Sequence, residues 1–226
     1  MRKALILTST LLALTIPRTA LPQVPNQALA LRIADARKAN AAKLQQYSWE
    51  SRIELLEDAT VLDIRIYSVA YGPGNQLQRT LLNNESAPLP HGFIRKRIAE
   101  KKREKVEKYQ KGLTKVLDQY TPPTAGEVRD FVSQATVSAP DASGLLELSG
   151  NNVVVPGDVL TIWVNAATRE TRKMQLTTTF EDDFVQANIS FKTLRGGPTH
   201  LAFATVTVAA KNLTPQVHNY DYNANN

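Results

Sequence analysis

Cysteine is absent from this chain of 226 residues. That absence excludes disulfides, thiolate metal sites, a catalytic thiol and a lipid-modified N-terminal cysteine. Histidine is scarce as well. His91, His200 and His218 are the three in the chain, far apart and in different segments, and without a ligand-spacing pattern they read as solvated loop or strand residues rather than metal ligands. Aromatics make up 7% of the chain, with only two tryptophans, so a nucleic-acid surface of interleaved cations and stacking rings is not indicated. The signatures GxxxxGK[ST], GxSxG, HExxH and GxGxxG are all missing, and no nucleophile–base pair stands out. The sequence therefore carries no residue to be read as catalytic, no metal ligand and no cofactor motif. An esterase or phosphatase with an unrecognised site is the weakest of the functional classes.

Hydrophobic residues at 42% and charged residues at 21% are an ordinary globular composition. The net charge of +6 is unevenly placed. Residues 94–120 hold ten basic and four acidic side chains, which is the whole excess. The basic isoelectric point thus reports one segment on an otherwise neutral protein.

The N-terminus has the layout of a secretory signal. Arg2 and Lys3 precede an uncharged apolar run over residues 4–16, Pro17 breaks it, and no acid occurs before Asp35. A bilayer-spanning helix needs about 20 apolar residues, more than this run supplies. The expected organisation is a signal and linker over residues 1–26, then a single domain over 27–226 with a helical insertion at about 92–135. The expected location is outside the cytoplasm.

Residues 27–46 read as an amphipathic, alanine-rich helix with Leu29, Ile33, Ala36 and Leu44 near one face. Three strands follow as a meander. In 47–56, Tyr47, Trp49, Ile53 and Leu55 alternate with polar residues. In 59–71, Leu62, Ile64 and Ile66 alternate with Asp63, Arg65 and Tyr67, and 76–84 continues beyond a Gly-Pro-Gly-Asn turn. A linker over 85–93 leads to a long helix, about 94–120. Its second half carries a stripe from Ile98 through Val106, Tyr109, Leu113, Val116 and Leu117 to Tyr120, while its first half is charged nearly all round. A short helix over 124–135 turns Val128, Phe131 and Val132 inward. Six further strands are expected at 144–149, 158–165, 171–180, 184–194, 199–210 and 215–222. Short turns separate them, the acidic Glu181-Asp182-Asp183 among them, so the pairing should be antiparallel.

This order resembles the LolA/LolB-like family of periplasmic lipoprotein carriers. The resemblance rests on GDVLTIWVNAATRETRKMQLTTTFEDDFVQANISFKTL (157–194), similar to the family's paired strands, and on YSWESRIELLEDATVLDIRIY (47–67), similar to its first hairpin. It implies an α+β fold in which a strongly curved antiparallel β-sheet, a half-barrel, is covered by an N-terminal helix and a central helical insertion. It also implies a non-enzymatic, periplasmic carrier or sensor of a Gram-negative bacterium that binds a lipid or an acylated protein.

A one-sided apolar sheet must be covered or must bind something. If the helices fit loosely, the expected pocket lining is Trp49, Ile53, Ile64, Leu77, Trp163, Met174, Phe191 and Phe203. If they fill the space, the alternative is an interaction module that docks through its basic helix or a sheet edge. Lys101, Lys102, Arg103 and Lys105 are the residues expected to meet an anionic membrane surface or an acidic protein. A solvated helical face is the plain reading of the same charges.

Overall fold

Helix α1 (Asn26–Leu44) buries Leu29, Ala30, Ile33 and Ala34, an i, i+1, i+4, i+5 stripe along one face. This is how the computed structural model begins; it describes residues 26–120 and 125–225. The expected export segment lies outside these residues. The meander follows as β1 (Tyr47–Glu57), β2 (Thr60–Tyr71) and β3 (Leu77–Ser86). Next come α2 (Phe93–Asp118) and α3 (Ala125–Gln134). The chain ends in β4 (Thr136–Val137), β5 (Leu145–Asn151), β6 (Val159–Asn165), β7 (Thr171–Phe180), β8 (Asp183–Thr193), β9 (Thr199–Val208) and β10 (Leu213–Ala224).

The strands form one open sheet of ten, in the order β3-β2-β1-β10-β9-β8-β7-β6-β5-β4, and every pairing is antiparallel. The α+β curved-sheet architecture is therefore as expected, and only the two-residue β4 had no counterpart in the sequence pattern. Two of the hairpins turn on residues in the left-handed region, Asp58-Ala59 at φ 49° and 61° and Glu181-Asp182 at φ 50° and 66°. Positive φ at both central residues matches the twist of the flanking strands. The acidic triplet is thus a turn whose last member, Asp183, opens β8.

Register fixes which face each residue takes, because directly paired residues share a face. One rung can be followed across the sheet: Leu148, Ile162, Met174, Ile189, Ala204, Val217, Ile53, Arg65 and Asn84. The side of the sheet on which this rung lies is the helix-covered side. At its β5–β8 end the rung is core: Leu148, Ile162 and Met174 are buried among Ala30, Ile33, Val128 and Val132 of α1 and α3, with Ile189 packed alongside. The second half of α2 caps a separate cluster in which Tyr109 and Leu113 meet Leu55, Val185, Val208 and Leu213.

Two tyrosine–aspartate contacts hold α2 and the turn after it to the sheet. The Tyr109 hydroxyl donates to Asp183 at 3.0 Å, and the Tyr120 hydroxyl donates to Asp158 at 2.8 Å. Gly112 lies where a Cβ would stand 2.6 Å from the Phe180 ring, so this helix approaches β7 closely only because position 112 has no side chain. The stripe on α2 is shorter than the sequence suggests. Ile98 is 64% exposed, because the helix has left the sheet before it reaches that turn.

Candidate functional site

The two helix-covered clusters take only Leu55 and Leu62 from β1–β3. Leu62 reaches its cluster through a bulge: Leu55 pairs with Asp63 and Leu56 with Val61, which leaves Leu62 as the extra residue. The rest of this wing presents a helix-side surface of its own. Its register sets Trp49 beside Val69, Ser51 beside Tyr67 and Ile53 beside Arg65. It then sets Tyr67 beside Leu81, Val69 beside Arg79 and Tyr71 beside Leu77. Leu77 and Leu81 are 43% and 50% exposed. The inner side of β1–β3 is thus an apolar and aromatic strip outside both clusters, buried at Trp49, Ser51 and Val69 and half-exposed at Leu77 and Leu81.

One end of the strip is an aromatic nest. The Trp49 ring stacks on Tyr222 at 5.3 Å between centroids and lies 6.0 Å from Tyr71. His200 also packs on Tyr222, at 3.9 Å between centroids. The Tyr222 hydroxyl and the Asn219 amide both donate to the Leu201 carbonyl, at 3.3 and 3.1 Å. Burial raises the pKa of the Tyr71 phenol, and burial followed by the neighbouring Tyr71 raises that of Tyr222, so both rings are neutral hydrogen-bonding groups at physiological pH. His200 is buried rather than solvated, a correction to the sequence reading. The nest encloses it, and burial above all, with a smaller repulsion from Lys192, holds its pKa below the usual histidine value against the opposing effect of the Leu201 carbonyl.

Two cations lie within the strip. Arg65 is tied to Asp63 at 2.8 Å, while Arg79 is exposed between Leu77 and Leu81 on the inner side of β3. Among the described residues there is no group of three or more acidic, histidine or cysteine side chains that could hold a metal ion. No helix among them is long and apolar enough to cross a membrane.

The eight residues expected to line a pocket divide between the two faces. Trp49, Ile53 and Leu77 lie on the inner side of the wing. Met174 is buried in the core beneath the helices, and Phe191 packs against that core. The other three take the outer face. Ile64 pairs with Glu54 and Glu85, because β2 changes its apolar parity along its length: even-numbered as far as Ile66, odd-numbered at Val69 and Tyr71. Trp163 pairs with Glu147 and Lys173, and the Lys173 ammonium stands 4.6 Å above its ring. Phe203 pairs with Ser190 and His218. Its strand carries Ala202, Ala204, Val206 and Val208 on one parity and Phe203, Thr205 and Thr207 on the other, a signal of outward placement that was present in the sequence. Tyr71, Leu81, His200 and Tyr222 were missed because they come from four strands whose juxtaposition only the register reveals.

Beneath α1 and α3 the fit is tight. A cavity of about 10 Å³ remains between Ile33, Arg37, Val128, Phe131 and the sheet residues Leu148, Ile162 and Val164. That is room for about one water.

No family model matches the chain, and no curated protein matches it significantly. Three solved structures are similar to it. A DUF1329 family protein from Desulfovibrio piger is 9% identical with a TM-score of 0.38, over 88% of this chain and 93% of that one. A LolA superfamily protein from Nitrosomonas europaea is 10% identical with a TM-score of 0.35, over 84% and 93%. A domain from Vibrio parahaemolyticus named for outer membrane lipoprotein sorting is 9% identical with a TM-score of 0.35, over 88% and 93%. The second of these bears the name of the superfamily whose pattern the sequence resembles. The likeness is one of architecture, and function does not follow from architecture.

Proposed function

We propose that the protein is an exported, non-enzymatic carrier or sensor that binds a lipid or acylated ligand along the inner side of β1–β3. The observation behind this reading is the division of the sheet. The helices fill the β5–β9 half, whereas Leu77 and Leu81 on the wing stay half-exposed on the same face. An acyl chain laid along Ile53, Tyr67, Tyr71, Leu77 and Leu81 would remove apolar surface from water at about 25 cal/mol per Å². Trp49 and Tyr222 close one end as flat, rigid walls. The filled half moves the ligand away from the space beneath α1 and α3, where a chain would first have to displace packed side chains.

The test is extraction of protein purified from its native host, followed by mass spectrometry of the organic phase. A lipid recovered at near-equal molar ratio supports the carrier reading, provided Leu81→Asp loses it without loss of thermal stability. Protein that yields no lipid, or a Leu81→Asp variant that keeps it, overturns the assignment to this strip. The export claim has its own readout. The N-terminus of the native protein should fall between residue 17 and about residue 30, where signals are removed; an intact Met1 on a cytoplasmic pool would contradict it.

The filled half also favours the second reading, an interaction module. Its docking element is the free end of α2.

A further inference from the structure

The opening turns of α2, from Phe93 to Ile98, lie exposed. Phe93 is 80% exposed, Ile94 73% and Ile98 64%, and together with Arg97 and Lys101 they line a surface recess of about 260 Å³. Large apolar side chains exposed side by side are rare on a soluble surface unless something covers them. Their position on the helix is specific. Lys102 pairs with Glu57 at 2.7 Å and Arg103 donates to the Ala87 carbonyl at 2.7 Å, so positions 102 and 103 face the body, on the side that Val106, Tyr109 and Leu113 continue. At 100° per residue, Phe93, Arg97 and Lys101 point away from the body and Ile94 and Lys105 lie to the side, while Ile98, one turn before Lys102, lies near the body-facing side yet stays exposed.

The charges are unfavourable for the helix itself. Arg95, Lys96 and Arg97 sit in the opening turns, no acid lies in the first turn, and Gly92 supplies no side-chain cap. Cations at the positive end of a helix dipole repel it. A partner that supplies negative charge would offset this, and one that also supplies an apolar interior would cover the three exposed side chains. An acidic protein meets the first need; an anionic bilayer meets both at one surface.

We infer that residues 93–105 of α2 are a membrane-docking element for anionic lipid. Phe93, Ile94 and Ile98 enter the headgroup–acyl boundary, and Arg97, Lys101 and Lys105 lie at the headgroup phosphates. Lys102 and Arg103, grouped with Lys101 and Lys105 in the sequence reading, are tethers to the body instead. The second half of α2, fixed through Tyr109 and Leu113, holds the element away from the sheet. The inference is independent of whether the β1–β3 strip binds a ligand.

The test is cosedimentation of protein isolated from its native host, delipidated, with vesicles of phosphatidylcholine alone or with about one-third phosphatidylglycerol, at low and high salt. Attraction to anionic lipid fades as salt shortens the screening length, so binding should require phosphatidylglycerol and weaken at high salt. Replacing Phe93, Ile94 and Ile98 by serine, or Arg97, Lys101 and Lys105 by glutamine, should each reduce binding about tenfold or more with unchanged melting temperature. Lys102→Gln should reduce it far less. Absence of binding to the anionic vesicles at low salt overturns the inference. So does binding that both triple variants retain, binding only to an acidic protein, or a large fall in melting temperature in the serine variant, which would show that these residues pack.

Discussion

The Tyr120 hydroxyl donates to the Asp158 carboxylate at 2.8 Å in the interior of the protein, and that carboxylate also accepts the backbone N–H groups of Val153, Val154 and Val155 at 2.6–2.8 Å. Asp158 is 1% exposed. Burial alone would raise its pKa. The N–H groups of Val155 and Val154, the Tyr120 hydroxyl and the Val153 N–H together outweigh that effect and hold the carboxyl below its usual value. The Tyr120 phenol is pushed up to about 12, first by burial and then by the charge it faces, against a lowering contact from Thr178. One buried anion therefore fixes both the β5–β6 loop and the turn that ends α2.

Removing that anion should be costly. Asp158→Ala leaves three N–H groups without their acceptor and the Tyr120 phenol with only the Thr178 hydroxyl, and is expected to cost on the order of 3–5 kcal/mol in urea denaturation. Tyr120→Phe removes one of four donors from a carboxylate that keeps the rest and should cost about 1–2 kcal/mol. Equal effects of the two variants would mean that Asp158 acts only through Tyr120.

Much of this was legible in the sequence. The hairpins at 47–71 and 171–193 announce themselves through period-two alternation, and α1 and α3 through helical spacing of Leu29, Ile33, Val128 and Val132. What could not be read is the phase of strands that change parity. Ile64 and Ile66 look like a continuation of the inner face that Leu62 begins, yet Val69 and Tyr71 of the same strand hold the inner positions, because the Trp49–Val69 pairing sets the register. The run Leu160 to Val164 is nearly all apolar apart from Thr161, so it gives Trp163 no clear side. Nor does spacing show that α2 leaves the sheet before Ile98. The contacts that decide it, Lys102 with Glu57 and Arg103 with Ala87, depend on where the β1–β2 turn and the end of β3 stand in space.

Acidification should loosen the aromatic nest. Burial lowers the His200 pKa in the folded protein, so as pH falls the unfolded chain, titrating near 6.5, takes up the proton first. The stability linked to neutral His200 is thus present above that pH and is lost as pH drops toward the folded value. One proton contributes a slope of at most about 1.4 kcal/mol per pH unit. Urea midpoints measured from pH 7.5 to 5.5 should fall in the wild type and fall less in His200→Phe, which keeps a ring against Tyr222. Parallel curves for the two proteins would show that His200 does not titrate differently on folding.

The two tryptophans lie on opposite faces and so report separately on where a ligand sits. Trp49 is on the inner side, stacked on Tyr222 at the end of the β1–β3 strip. Trp163 is on the outer side beneath the Lys173 ammonium. A fatty acid carrying a nitroxide label on its chain should quench Trp49 and spare Trp163. Trp163→Phe isolates the first signal and Trp49→Phe the second. The Trp163→Phe protein should show saturable quenching that Leu81→Asp abolishes, because Leu81 shares the inner face with Tyr67 and Tyr71, while the Trp49→Phe protein should respond little. If the Trp163 signal is quenched instead, the ligand lies on the outer face, where Trp163 and Phe203 are, and the inner strip is not its site.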